Sequence, residues 1–440
     1  MTVIREAIAV SELGRGTVRV KPVYVGLHHY SDVYGSVCSP DVKGTPPFDA
    51  PSTAQVHQSA QAMVDSFAEG LPVDFVEVEE PLVIEHERDM RRLPSELTYD
   101  VDALLVRTLG RRPWEPFTLA QYGLPVIGGS VSEDYLRGLR AKKFLGESRF
   151  LYIGEIPSFS APDGPYDFQM IEERLGVSVR HIETNEFFRH FDALDDDAVA
   201  AELDDWSGQF ARVEPTRESM LDATRVYLAL RELCEREDAN GVTINCGRFT
   251  EERPVVPCLA FDRLIDEGIM CACEGDITAM LASLMLHAVS QQPVLMGNFG
   301  YREGMFEAGS GEVTIEHDLI PQSMASEPFI VRDYHTREFG VTAYADVRRE
   351  PMTLLNVHSS LDSVVAVEGH VRGSEDGGHC RVIIHMSVDG DVNSLSQVLV
   401  GSQHMSMTFG HRQRALSEAA ELLGIQAKHL RPAEDPIFTG

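Results

Sequence analysis

The sequence predicts two α/β domains built on parallel sheets, followed by a mostly antiparallel β domain. The chain has 440 residues, of which 43% are hydrophobic and 24% are charged, as is typical of a globular protein with more than one core. Strand and helix patterns alternate as far as about residue 300, which favours parallel sheets covered by helices. Closely spaced strand patterns with turn residues between them then follow, and these indicate an antiparallel sheet or barrel.

The first predicted domain covers residues 1–148. Residues 53–70 carry apolar side chains at helical spacing and end at Gly70, which predicts an amphipathic helix. Strand patterns occur on both sides of this helix, at 18–28, 72–81, 101–108 and 123–130. A strand followed by a helix and a second strand is the repeating unit of a parallel sheet.

The second predicted domain, residues 149–300, continues the alternation with a helix pattern at 218–237 among its strands. We therefore expect a second parallel sheet, with strands at 149–158, 177–184, 241–247, 268–276 and 292–299. The third domain, residues 301–440, ends in an amphipathic helix pattern at 412–425. Its short strand patterns lie at 327–335, 340–349, 351–360, 363–373, 379–390 and 404–410.

The net charge of −31 excludes several function classes. So acidic a surface repels nucleic acid and anionic membranes. The acidic residues are spread along the chain rather than held in one tail, which argues against a disordered acidic arm. A surface that repels itself this strongly favours a salt-rich cytosol and a halophilic source. No stretch approaches the roughly 18–20 apolar residues of a membrane helix, and the first ten residues do not have the pattern of a signal peptide. A cytoplasmic location is the expectation.

Neither the cysteines nor the glycines indicate a familiar cofactor site. The 7 cysteines are irregularly spaced without a Cys-x-x-Cys, so neither a zinc ribbon nor a disulfide framework is predicted, and Cys271 and Cys273 are interpreted as buried thiols. No phosphate-binding glycine motif follows a strand, so no nucleotide cofactor is expected. Residues 28–36 could contact a polyol or form an ordinary polar turn.

Acidic residues end the predicted strand segment at 268–276. Glu274 and Asp276 lie between its apolar run "IMCAC" and a helical pattern, and ligand sites of open α/β sheets gather where parallel strands end. The alternative for either residue is a helix cap, since a carboxylate there accepts hydrogen bonds from free backbone amides.

Further along the chain, polar residues of metal-binding type occur in similar contexts. Asn298 ends the next strand pattern, Glu316, His317 and Asp318 stand together, and His404 enters a late strand from a glycine-flanked loop. Carboxylate, amide oxygen and imidazole are ligands of divalent cations such as Mn²⁺ or Mg²⁺. No single spacing among them is diagnostic, and each histidine could instead be an ordinary core or surface residue.

The segments that carry these residues resemble the L-fucose isomerase and L-arabinose isomerase superfamily. The likeness is strongest over roughly 240–325 and 400–425, in "CLAFDRLIDEGIMCACEGDITAML", "QPVLMGNFGY", "EHDLIPQSMA" and "GSQHMSMTFGHRQRALSEAAELLGI". The resemblance implies two Rossmann-like domains and a C-terminal β-barrel domain. It also implies an aldose–ketose isomerase for a pentose or 6-deoxyhexose, with Mn²⁺ or another divalent cation such as Mg²⁺ or Co²⁺, assembled as a homo-oligomer (hexamer or trimer).

By position, the resemblance implies a metal set of Glu274, Asn298, His317 and His404, with Glu274 also acting as catalytic acid/base. Such an enzyme moves a proton between C2 and C1 of the sugar through an enediolate, which the metal favours.

Asn298 departs from the family pattern, which has an acidic ligand and base at that position. An amide oxygen can bind a cation, but the side chain cannot act as a general base. Glu316 and Asp276 are therefore candidate catalytic replacements. Two alternatives to an isomerase stay open: a non-catalytic sugar-binding or regulatory protein on the same scaffold, and a lyase or epimerase that uses the same enediolate.

Overall fold

The computed structural model confirms the predicted fold class, with parallel α/β sheets followed by a closed antiparallel barrel. It describes residues 15–25, 52–85, 87–97, 100–108, 119, 121–128, 131–157, 164–300, 312–391 and 401–430. The chain divides into two compact units, Gly16–Lys143 and a larger one within Phe144–Gly440. The separation of the larger unit into a central and a C-terminal domain stays a prediction.

The described residues form strands and helices numbered here in chain order. The strands are β1 Val18–Val25, β2 Val76–Val78, β3 Leu82–Ile84, β4 Ala103–Thr108, β5 Val126–Ile127, β6 Arg149–Ile153, β7 Ser178–Ile182, β8 Arg212–Val213, β9 Gly241–Ile244, β10 Met270–Ala272, β11 Leu295–Gly300, β12 Glu312–His317, β13 Ile330–Arg332, β14 Thr342–Tyr344, β15 Pro351–Val357, β16 Ser363–Asp376, β17 Val382–Val388, β18 His404–Phe409 and β19 Gln426–Lys428. The α-helices are α1 Thr53–Glu69, α2 Leu93–Glu96, α3 Glu133–Glu147, α4 Phe168–Leu175, α5 Thr184–Ala193, α6 Asp196–Ser207, α7 Arg217–Glu237, α8 Cys246–Glu252, α9 Cys258–Asp266, α10 Ile277–Ser290 and α11 Gln413–Leu423. Among them, no helix is both long enough and apolar enough to cross a bilayer.

The smaller unit contains a parallel sheet of order β2-β1-β4-β5, in which β3 also pairs with β1. Helix α1 begins at a capping box, where Ser52 accepts from the Gln55 amide and the Gln55 side chain accepts from the Ser52 amide. Val56, Ala60, Met63 and Phe67 form its buried stripe, which is the predicted amphipathic pattern.

The larger unit begins with a second parallel sheet, of order β10-β9-β6-β7. Strands β6, β9 and β10 are almost wholly buried, as is typical of a parallel sheet covered by helices, whereas the edge strand β7 is mostly half-buried. The carboxyl ends of β6, β9 and β10 lie side by side at one edge, since these strands are paired in parallel. The turn that carries Glu274 leaves this edge directly after β10.

A closed barrel follows. Six strands pair in the antiparallel ring β15-β18-β11-β12-β17-β16, and β16 returns to β15. Strand β19 pairs in parallel with the first residues of β16, Ser363 to Val365. Because each strand of the ring has two neighbours, the ring leaves no open edge.

The interpretation of residues 292–299 as a parallel strand of the second sheet is wrong. Strand β11 lies in the barrel, antiparallel to both β12 and β18. A short apolar run has the same pattern in a buried parallel strand and in a barrel wall. Strand β12, one of the two partners of β11, was not predicted either. The patterns at 327–335 and 340–349 contain only the short strands β13 and β14, which form a separate small sheet with β8.

Helix α10 joins the parallel sheet to the barrel. All fourteen of its residues are buried, as expected for a helix that is apolar on every side. It packs against β9 and β10 as well as β15 and β18. Ser406 on β18 donates to the Ala279 carbonyl and lies 3.0 Å from the Ser283 hydroxyl. The start of this helix is thereby fixed against the strand that begins at His404.

Candidate metal centre

The turn after β10 holds Glu274 in an uncommon backbone conformation. Glu274 has φ 63° and Gly275 has φ 69°, so two successive residues are left-handed. The Gly275 amide donates to the Ile244 carbonyl at 2.7 Å, which fastens the turn to β9. A Cβ on Gly275 would lie 3.1 Å from the Tyr152 hydroxyl. A left-handed residue other than glycine is typical of functional sites.

Three side chains from distant parts of the chain meet beside this turn. Glu274 Oε1 lies 3.8 Å from His317 Nε2, and Glu274 Oε2 lies 3.6 Å from His404 Nε2. The ligand atoms of all three lie within 4.8 Å of one another. The Glu274 side chain is 46% exposed, whereas His404 is only 3% exposed. The group therefore has two buried nitrogens below one accessible carboxylate.

Asp276 lies behind His404. Its Oδ1 caps α10 by accepting from the Ala279 amide at 2.8 Å and from the Thr278 hydroxyl at 2.7 Å. Its Oδ2 is 2.8 Å from His404 Nδ1. A carboxylate at Nδ1 places the imidazole proton there and directs the lone pair of Nε2 toward Glu274, as in many metal-binding histidines. The predicted cap is therefore present, and the same carboxylate also orients His404.

His317 is held from its other side. Nδ1 accepts a hydrogen bond from the Asp318 amide at 3.0 Å, and the ring centroids of His317 and His404 lie 5.7 Å apart. Burial, together with the neighbouring His404, lowers the pKa of His317 to about 4. The ring is therefore neutral at physiological pH. As long as His317 Nδ1 accepts this hydrogen bond, the ring proton is on Nε2. Coordination of a cation through Nε2 therefore requires the proton to move to Nδ1 and the hydrogen bond from the Asp318 amide to break.

Asn298 lies between Glu316 and His404 in the barrel wall. It is the register partner of Glu316 on β12 and of His404 on β18. The Asn298 amide nitrogen lies 3.4 Å from the Glu316 carbonyl, which leaves the amide oxygen available to a ligand. Asn298 thus lies within the barrel wall rather than at the end of a parallel strand.

Cys271 and Cys273 are buried, as predicted, but two further thiols near this group, Cys246 and Cys380, were not singled out by the sequence. The Cys246 thiol has a lowered pKa because it interacts with Cys273 and with the backbone of Glu274, which outweighs its burial. Burial and the carboxylates of Asp318, Glu316 and Glu274 raise the pKa of Cys380 to about 12. The irregular cysteine spacing gave no signal of this arrangement, because four different segments supply the residues.

The donor set fits a divalent cation. One accessible carboxylate and two imidazoles, with Asp276 behind one of them, match the ligands of Mn²⁺, Co²⁺ or Zn²⁺ better than those of Ca²⁺, which takes oxygen ligands. Of the predicted metal residues, the structure brings together Glu274, His317 and His404. Residues 28–36 lie outside the part of the chain that is described.

Two parallel-sheet units, a closed barrel and this carboxylate–imidazole group define an α/β protein with a candidate metal centre beside a sheet edge. The L-arabinose isomerase central domain matches residues 167–291. The match supports the arabinose/fucose isomerase superfamily and suggests a sugar isomerase. It includes Glu274, whereas His317 and His404 lie beyond it. The search of curated proteins found no match.

Proposed function

We propose that this chain is a metal-dependent aldose–ketose isomerase acting on a pentose or 6-deoxyhexose through an enediolate. The observation that carries the proposal is the meeting of Glu274, His317 and His404. A protein that only needed a stable fold would gain little from two buried imidazoles that face a half-exposed carboxylate. A divalent cation, most simply Mn²⁺, would be held by these three residues together with the Asn298 amide oxygen.

The chain's own residues supply proton transfer and positioning. The cation, when bound, supplies Lewis acidity that favours the enediolate. Glu274, which is accessible, takes the proton from C2 of the aldose or returns one to C1. Asp276 keeps the Nε2 lone pair of His404 directed toward the site. His317, which is neutral because it is buried, does not repel a cation.

Glu316 is the proposed second acid/base. Asn298 cannot carry a proton, and Glu316 is its direct register partner. The carboxylates of Glu316 and Glu274 both raise the pKa of Cys380, so both lie near that thiol. Asp276 is the less suitable replacement, because it is fully buried and both of its oxygens already have partners.

The test is product analysis by NMR in deuterated water after loading with Mn²⁺ and incubating with a panel of pentoses and 6-deoxyhexoses. Isomerisation is expected to give a ketose with deuterium at C1, and Glu274→Gln to abolish it without unfolding the protein. Glu172→Gln, an exposed helical carboxylate, is the control. Fragments of the sugar would instead indicate a lyase, and deuterium confined to C2 of an aldose would indicate an epimerase.

Asn298 favours a second candidate, a non-catalytic sugar-binding or regulatory protein. Sugar binding by calorimetry without turnover, in a preparation that takes up no Mn²⁺, would support this candidate and defeat the isomerase. Asn298→Glu separates the two further. Restoring the carboxylate of the family pattern is expected to raise the activity of an isomerase, whereas a protein without the rest of the machinery stays inactive.

The proposal extends to the setting of the protein. We propose a homo-oligomer, a hexamer or trimer, in the cytoplasm of a salt-loving organism, with neither nucleic acid nor a membrane as partner. The acidic net charge of −31 supports the salt-loving source and the exclusion of nucleic acid and membranes as partners. Sedimentation velocity in molar KCl tests the assembly, and a monomer at micromolar concentration would contradict it.

A further inference from the structure

A second group of metal-binding side chains lies next to the first. His335, His379 and Cys380 place one ligand atom each within 4.8 Å of one another. His335 belongs to a short helical turn at Tyr334–Thr336, and the other two belong to the turn between β16 and β17. We propose that these three residues form a thiolate-containing site for a divalent cation of the Zn²⁺ type, separate from the Glu274 centre.

The spacing fits a single ion. Cys380 Sγ lies 3.7 Å from His379 Nδ1. In tetrahedral coordination, Zn–N bonds of about 2.05 Å and a Zn–S bond of about 2.3 Å set the nitrogen and sulfur about 3.6 Å apart. The rings of His335 and His379 lie 3.9 Å apart between centroids, so the two imidazoles are in direct contact beside the thiol. An S–H···N hydrogen bond between Cys380 and His379 would explain the distance of 3.7 Å between them. It would not explain why a ligand atom of His335 lies within 4.8 Å of both.

Asp318 supplies the outer support that such a site needs. Its Oδ2 lies 2.6 Å from His335 Nε2 and its Oδ1 accepts from the Arg381 amide at 3.0 Å. It therefore holds both turns at once, and it is itself only 3% exposed. With Nε2 engaged by the carboxylate, Nδ1 of His335 is the nitrogen left for a cation.

The backbone is constrained on the same side. His335 has φ 49°, Thr336 has φ 58° and Glu338 has φ 60°, although none of them is glycine and Thr336 is β-branched. Such a run persists only where the surroundings hold it in place. The ion pair between Arg381 and Asp333 already connects this turn to the turn between β16 and β17. A bound cation would be a second connection between the same two turns.

The ligands select a softer metal than the first centre does. Thiolate and imidazole favour Zn²⁺, Co²⁺ or copper over Mg²⁺ and Mn²⁺. Binding through the Cys380 sulfur forms one metal–sulfur bond and releases the thiol proton to solvent. Three protein ligands leave a fourth position for water.

The test is Co²⁺ titration of the full chain after its first centre has been filled with Mn²⁺, followed by absorption spectroscopy. One equivalent is expected to give a sulfur-to-cobalt charge-transfer band, which Cys380→Ser abolishes. Asp318→Asn is expected to weaken Co²⁺ binding roughly 10–100-fold, as losses of outer-shell carboxylates do. Cys246→Ser is the matched control and keeps the band.

Two results would overturn the site. One is the absence of the band at stoichiometric Co²⁺, and the other is a band that survives Cys380→Ser but disappears in Cys246→Ser, which would assign it to the thiols below Glu274. Glu274→Gln is expected to keep the Co²⁺ band while losing Mn²⁺ and turnover. This difference keeps the second site distinguishable from the proposed isomerase.

Discussion

At the scale of single residues, Glu274 combines chemistry with backbone strain. Its left-handed φ of 63° costs a residue with a side chain about 1–2 kcal/mol relative to glycine. The chain keeps a glutamate there although glycine follows immediately. The carboxylate is therefore held at a position that stability alone would give to glycine, as is common at functional sites.

Removing that strain gives the first prediction. Glu274→Gly is expected to raise the free energy of unfolding by about 1 kcal/mol, because glycine adopts this φ freely, while Mn²⁺ affinity and turnover are lost. Glu274→Ala is the control, since it removes the carboxylate and keeps the strain. Denaturant unfolding of the three proteins measures the effect, and equal midpoints for the two variants would contradict the claim that the turn is strained.

Asp276 carries the second prediction. In Asp276→Asn, Oδ1 can still cap α10, but an amide nitrogen would face Nδ1 of His404 and move the ring proton to Nε2. Mn²⁺ affinity is expected to fall about 10–100-fold with little change in Tm. Calorimetric titration measures the affinity. Thr278→Val is the control, because it removes a different hydrogen bond to Asp276. An equal loss of Mn²⁺ affinity in both variants would indicate that Asp276 only caps the helix and does not orient His404.

At the scale of elements, a buried carboxylate in α9 ties that helix to the segment before the short turn at Gln322–Met324. Asp262 Oδ1 accepts from the Ile320 amide at 2.6 Å, and the residue is 1% exposed. Burial raises its pKa well above the usual range, with a smaller opposing effect from that hydrogen bond. The folded protein therefore favours the protonated acid.

The pH dependence of stability follows from the direction of this shift. The contribution of Asp262 is fully present below the unfolded pKa of about 3.9 and is lost as the pH rises through the higher folded pKa. Asp262→Asn keeps the acceptor for Ile320 and cannot ionise. The difference in Tm between variant and wild type is therefore expected to grow in favour of the variant from pH 5 to pH 8, as measured by calorimetry. Asp205→Asn, an exposed carboxylate, is the control, and parallel curves would contradict the argument.

The elements also show which parts of the fold were predictable. Alternation of strand and helix patterns identified the two parallel sheets. Each helix packs one face against a sheet, and the residues on that face are apolar at helical spacing. The same reasoning assigned β11 to the wrong sheet. Its apolar residues are buried on both sides in either arrangement, and only its pairing with Met405 and Ser406, more than a hundred residues later, decides the matter.

The candidate site was predictable to a similar degree. Glu274 and Asp276 stood out locally, since a strand precedes them and a helix follows. The contact between Asp276 and His404 could not be predicted, because the two residues are 128 positions apart and no local sequence pattern connects them. The group of His335, His379 and Cys380 was not predicted, because its residues come from two turns with no characteristic spacing between them.

At the scale of the whole molecule, the net charge of −31 governs the response to salt. Self-repulsion acts over a Debye length of about 30 Å at 0.01 M and about 3 Å at 1 M ionic strength. Tm is therefore expected to rise as KCl increases from dilute buffer to molar concentration, as measured by calorimetry. KCl is preferable to sulfate, because sulfate also strengthens apolar burial. A Tm that is highest in dilute buffer would contradict a halophilic origin.

The closed ring of six strands has a consequence for the order of synthesis. Strands β11 and β15 cannot obtain their shared neighbour β18 until the ribosome has passed residue 409. Until then the nascent chain exposes two unsatisfied strand edges, which are templates for self-association. His404 arrives on that same last strand, so a polypeptide that stops short of it would be both prone to aggregate and unable to complete the Glu274 centre.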